Sequence, residues 1–116
     1  MTIRRLKTYA GSQGYVYEYY FVGTRPAAGT DATEYVFDVT SDRKTTFTVS
    51  VLLPASVVAD WGAAHARSLS DAEQYAGVKM RLFRAFDEIE DMAAKGRELE
   101  IDSQSLEEVL STLGVE

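Results

Sequence analysis

With 116 residues, 46% of them hydrophobic, the chain is long enough to bury one core, and with no cysteine it has neither a disulfide framework nor a thiolate metal site. A net charge of −6 argues against tight non-specific nucleic-acid binding, which depends on neutralising phosphates. No run approaches the roughly 20 apolar residues of a membrane span. The start, MTIRRLKTYAGSQG, lacks the apolar core of a signal peptide, so a soluble, non-exported, cytoplasmic protein without membrane contact is expected.

The charge is unevenly placed. Residues 1–30 carry Arg4, Arg5, Lys7 and Arg25 against Glu18 alone, a local +3, whereas residues 53–116 hold thirteen acids against six bases, a local −7. A basic arm on an acidic body leaves a phosphate or an acidic partner open as a ligand for the arm.

In chain order, residues 1–13 form that arm, read either as mobile or as a short strand on Ile3, Leu6 and Tyr9. Gly11 and Gly14 then punctuate the entry to a strand over residues 15–22. Its odd positions, Tyr15, Tyr17, Tyr19 and Phe21, share one face; Val16, Glu18, Tyr20 and Val22 share the other. A second strand sets Tyr35, Phe37 and Val39 against Val36, Asp38 and Thr40. A third sets Phe47, Val49, Val51 and Leu53 against Thr46, Thr48, Ser50 and Leu52. This alternation predicts an antiparallel sheet with one buried face.

The eleven residues GTRPAAGTDAT, 23–33, read as a long loop around Arg25 and Asp31, either idle or a binding loop. The parity of strands two and three constrains their hairpin. Odd residues must face odd residues, which predicts a three- or five-residue loop or a bulge.

A first helix is expected over residues 54–66, with Val57, Val58, Trp61 and His65 on one face. A second, long helix over residues 70–94 starts at a capping box of Ser70 and Glu73. Tyr75, Val78, Leu82, Ile89 and Met92, flanked by Ala72, Ala76, Met80, Phe83 and Phe86, give it a broad apolar face. Its other face carries Gln74, Gly77, Arg81, Arg84, Glu88, Asp91 and Lys95 and reads as solvated, with Arg84–Glu88 and Asp91–Lys95 pairs. Arg81 and Arg84 are the anion- or partner-binding alternative on that face. Gly96 ends the helix. RELEID suits a charged edge strand, and residues 104–113 a last helix on Leu106, Val109, Leu110 and Leu113.

The predicted fold is a single α+β domain, residues 1–116. It has a three-stranded antiparallel β-meander, with short edge strands able to extend it. Helices pack on one face, in the order β-β-β-α-α-(β)-α.

No catalytic motif is present: GxSxG, Walker, HExxH and CxxC patterns are all lacking. His65 is the single histidine, and with Asp60, Asp71 and Glu73 it makes too poor a ligand set for a transition metal. The acidic run of Asp87, Glu88, Glu90 and Asp91 lacks the loop of a calcium site. No metal, cofactor or catalytic residue is therefore assigned, and enzymatic activity is not the expectation. The leading functional expectation is a non-catalytic interaction or regulatory module, self-associating or bound to a protein partner, with Tyr20 on the wet face as a contact. One alternative is a nucleic-acid-binding accessory protein using Arg4, Arg5, Lys7 and the hairpin-tip Arg43 and Lys44. The other is a small-ligand binder in a pocket lined by Tyr15, Tyr17 and Tyr19, with Arg25, Arg81 and Arg84 as further binding candidates.

Overall fold

A computed structural model describes residues 6–12 and 14–116. Its elements run β1 (Lys7–Ala10), β2 (Val16–Pro26), β3 (Ala32–Thr40), β4 (Phe47–Pro54), α1 (Ala55–His65), α2 (Asp71–Glu88), α3 (Met92–Lys95), β5 (Glu98–Glu100) and α4 (Ser103–Thr112). The expected meander, β2-β3-β4, is the centre of a five-stranded sheet in the order β1-β2-β3-β4-β5. Both edge strands are present, β1 antiparallel to β2 and β5 parallel to β4. A parallel neighbour needs a crossover, and α1, α2 and α3 lie within it.

The helices cover one face. Tyr17, Tyr19, Tyr35, Phe37, Val39, Val49, Val51 and Leu53, all odd positions, are buried there together with Trp61, Val78, Leu82, Phe86, Leu106 and Leu110. The β3–β4 register obeys the parity argument, with Tyr35 facing Val51, Phe37 facing Val49 and Val39 facing Phe47. The loop length does not. Seven residues separate Val39 from Phe47, and Asp42 organises them by accepting hydrogen bonds from the Lys44 and Thr45 amides, each at 2.8 Å.

Four other expectations need correction. The loop over residues 23–33 is mostly strand. A bulge between Phe21 and Gly23 inserts one residue, so that beyond it Thr24 faces Tyr35 and Arg25 faces Glu34. The period-2 pattern breaks there although pairing continues to Pro26, which leaves only residues 27–31 as the connection.

The long helix ends at Glu88, not at residue 94. Ile89 is extended (φ −98°, ψ 114°), and Asp91 starts the separate turn α3 by accepting a hydrogen bond from the Ala94 amide. Asp91 thus acts as a cap instead of pairing with Lys95. Gly96 closes α3 where a β-carbon would collide with the Met92 side chain.

The back of α2 is not solvated throughout. α4 docks on it, and Gly77 is buried beneath Leu106 and Leu110. Arg84 accordingly pairs with Glu108 of α4 and not with Glu88.

Finally, the helical cover thins at the ends of the aromatic row, where Tyr15 (44%) and Phe21 (37%) are exposed, although Phe21 still faces inward and meets Tyr75 of α2 with ring centroids 4.9 Å apart. Leu113, just past α4, is exposed as well.

Candidate functional site

The three tyrosines do not line a common groove. Tyr17 stacks face to face on Phe86, with centroids 4.2 Å apart, and Tyr19 meets Phe83 edge-on at 5.6 Å. Both rings are core, and burial is the main cause that raises the pKa of each phenol. Tyr15 alone stands open, on the rim of a cleft of about 410 Å³ between the start of β2, Ser41 and Phe47, and the turn over Glu90–Lys95.

Four of the six predicted cations among the described residues are already engaged. Arg25 donates two hydrogen bonds to Glu34 at 3.1 and 2.9 Å across β2 and β3, and Ser50 donates to the same carboxylate. Hydrogen bonds from Arg25 and then from Ser50 hold the Glu34 pKa below its usual value. Arg43, at the hairpin tip, pairs with Glu18. Arg81 Nε donates to the Glu100 carbonyl oxygen at 3.2 Å, and Arg84 pairs with Glu108 at 3.1 Å. These two arginines share a cleft of about 220 Å³ with Glu88, Glu100 and Asp102, so acids neutralise them as a pair. Lys44 is exposed. Arg4 and Arg5 lie outside the described residues.

Lys7 is in β1, next to Lys79 of α2. The Lys79 ammonium sits 5.7 Å from the Tyr75 ring and 5.8 Å from the Phe83 ring. Burial, then the charge of Lys7, lowers its pKa. Tyr20 is tied by its hydroxyl to Asp38 at 2.6 Å on the uncovered face of the sheet.

The residues around His65 do not assemble into a reactive site. Its ring stacks on Trp61 at 4.1 Å, and Nε2 lies 2.9 Å from Glu107. Asp60 accepts a hydrogen bond from Ser103, and Glu73 is held by Arg67, so neither joins the histidine. Among the described residues no three potential metal ligands cluster, and no helix is long and apolar enough to cross a membrane.

One surface escaped the sequence reading. β1 begins at Lys7, opposite Tyr19. From residue 21 to residue 26, β2 pairs with β3 on one side and, among the described residues, with nothing on the other. Phe21 (37%), Val22 (41%) and the nearby Leu6 (51%) are exposed along that open edge. The far edge is guarded: Glu98 and Glu100 flank Leu99 in β5, and Arg97 Nε donates to the Thr48 carbonyl oxygen. The sequence signal for the bulge beside this edge is Gly23 directly after Val22, a glycine within a strand pattern.

No family model, no curated protein and no solved structure matches this chain.

Proposed function

We propose that the protein is a non-catalytic interaction module that self-associates by pairing the open half of β2 with the same segment of a second copy. The observation that carries this reading is the outer edge of residues 21–26, unpaired among the described residues, beside the exposed Phe21 and Val22. An open row of backbone donors and acceptors is a template for another strand, and the adjacent apolar side chains supply area to bury.

The asymmetry of the two sheet edges favours a closed pair over a growing sheet. β2 antiparallel to its own copy is an isologous contact, and it uses up the one sheet edge left unguarded among the described residues. Pro26, which has no amide hydrogen, ends the pairing segment, and the charged β5 edge discourages a third copy. The interface is small, so a dissociation constant on the order of micromolar is expected.

Sedimentation velocity over a range of concentrations tests the reading. A monomer–dimer equilibrium that Val22→Lys shifts towards monomer would support it. A strict monomer at every concentration, or a dimer indifferent to Val22→Lys, would overturn it.

A further inference from the structure

The cleft beside Tyr15 lies where β2 begins, and it is chemically unlike the open β2 edge. Its lining combines the rings of Tyr15, Tyr17 and Phe47 with the carboxylates of Glu90 and Asp91 and the ammonium of Lys95. Two carboxylates against one ammonium leave a net charge of −1. Among the described residues neither acid forms a salt bridge with Lys95 or with any other cation, and Asp91 gives only one oxygen to cap α3.

Tyr17 provides the second, independent observation. The residue is 2% exposed, and its ring is fixed by the stack on Phe86. Its hydroxyl has no hydrogen-bond partner among the described residues, yet that oxygen is not sealed from solvent. The opening it meets is this cleft, whose wall the residue forms. Water in the cleft can pair with it, and a ligand that displaces that water must supply a hydrogen bond in its place. Burial, then Tyr15, then Asp91 raise the pKa of this phenol, which places the Asp91 charge within electrostatic reach of the ring.

Aromatic faces and carboxylates together select an organic cation. A bare metal ion would need more oxygen or nitrogen ligands than two carboxylates and a phenol, and it gains little from the rings. We propose that this cleft binds an organic monocation, an alkylammonium or guanidinium group. It would rest on the exposed face of Tyr15, pair with Glu90 and Asp91, and donate a hydrogen bond to the Tyr17 hydroxyl oxygen. The group can belong to a free amine or to the side chain of a lysine or arginine in a partner segment. Lys95 on the rim disfavours a second positive charge next to the first.

Amide NMR titration of the intact protein with butylammonium, with N-acetyl-lysine methylamide and with butyrate tests the proposal. The two cations should shift the signals of residues 15–17 and 90–95 with dissociation constants on the order of millimolar, and butyrate should not. Tyr15→Ala, Glu90→Gln and Tyr17→Phe should each weaken the cations by about threefold or more. The first two changes fall on exposed residues and the third deletes one oxygen, so a dispersed spectrum should persist in all three. Tighter binding of the lysine derivative identifies a partner side chain as the source; equal binding identifies a free amine. No shifts with either cation, equal shifts with butyrate, or cation binding indifferent to all three substitutions would overturn the proposal.

Discussion

The Tyr9 hydroxyl donates a 2.8 Å hydrogen bond to the Asp87 carboxylate, joining β1 to the last turn of α2 across 78 residues of sequence. The Tyr9 ring lies parallel to Phe83, with centroids 4.4 Å apart, and the other Asp87 oxygen accepts from the Ser12 amide at 2.9 Å. This short edge strand is therefore held by one carboxylate and one ring stack as well as by its ladder with β2. Asp87→Ala should cost about 1–2 kcal/mol, chiefly because the half-buried Tyr9 hydroxyl loses a charged acceptor while water takes over the exposed Ser12 amide. Chemical denaturation measures the loss, and hydrogen exchange should place it first in residues 7–10.

Gly77 sets the distance between α2 and α4. A β-carbon built there would stand 3.2 Å from Leu106 Cδ1 and 3.5 Å from Leu110 Cδ2. A methyl is close to fitting; a larger side chain must push α4 away. Gly77→Leu should destabilise by about 1–3 kcal/mol despite its better helix propensity, since overpacking a tight contact outweighs the backbone gain. Thermal unfolding would check this, with weakened protection of α4 amides as the local signature.

The start of α2 carries an acid-sensitive clamp. Hydrogen bonds from Arg67 and then from the Ser70 amide hold the Glu73 carboxyl at about 2, against an ordinary value of 4.5. A depressed carboxylate contributes stability that is fully present above its unfolded pKa and lost as pH falls through its folded one. Glu73→Gln keeps a group able to cap the helix but removes the charge. The variant should melt below the parent at neutral pH, and the gap should narrow from about pH 4.5 down to about pH 2. A gap independent of pH would show that the charge adds nothing.

The paired arginines make a prediction about polyanions. Arg25, Arg43 and Arg84 face carboxylates, and Arg81 is held by a carbonyl oxygen. Phosphate contact at any of the first three would have to displace an acid on an acidic protein. Fluorescence anisotropy with a single-stranded oligonucleotide at about 0.15 M salt should therefore show no binding, and salt-sensitive binding would reopen the alternative based on the arm and hairpin tip.

The layer arrangement was legible because it rests on period. Odd residues of β3 and β4 alternate without interruption, and the Ser70–Glu73 capping box starts α2 where expected, with both of its hydrogen bonds formed. Expectations failed where an additional residue or a tertiary contact outweighs local pattern. The bulge at Val22 hid half of β2, and with it the edge that now carries the functional proposal. Asp91 resembled an i,i+4 partner for Lys95, but a cap at that position serves the turn that buries Met92. Gly77 looked like part of a solvated face because the docking of α4 on it depends on residues thirty positions away. Tyr15 shares parity with Tyr17 and Tyr19 yet lies beyond the reach of the helical cover, which no periodicity could reveal.

Hydrogen exchange on the unmodified chain at low and high protein concentration bears most directly on the open β2 edge. Amides within residues 21–25 should gain protection only at the higher concentration, while those of β5 stay unchanged. Equal exchange of residues 21–25 at both concentrations, with the chain shown to be dimeric at the higher one, would place the interface elsewhere and contradict the account.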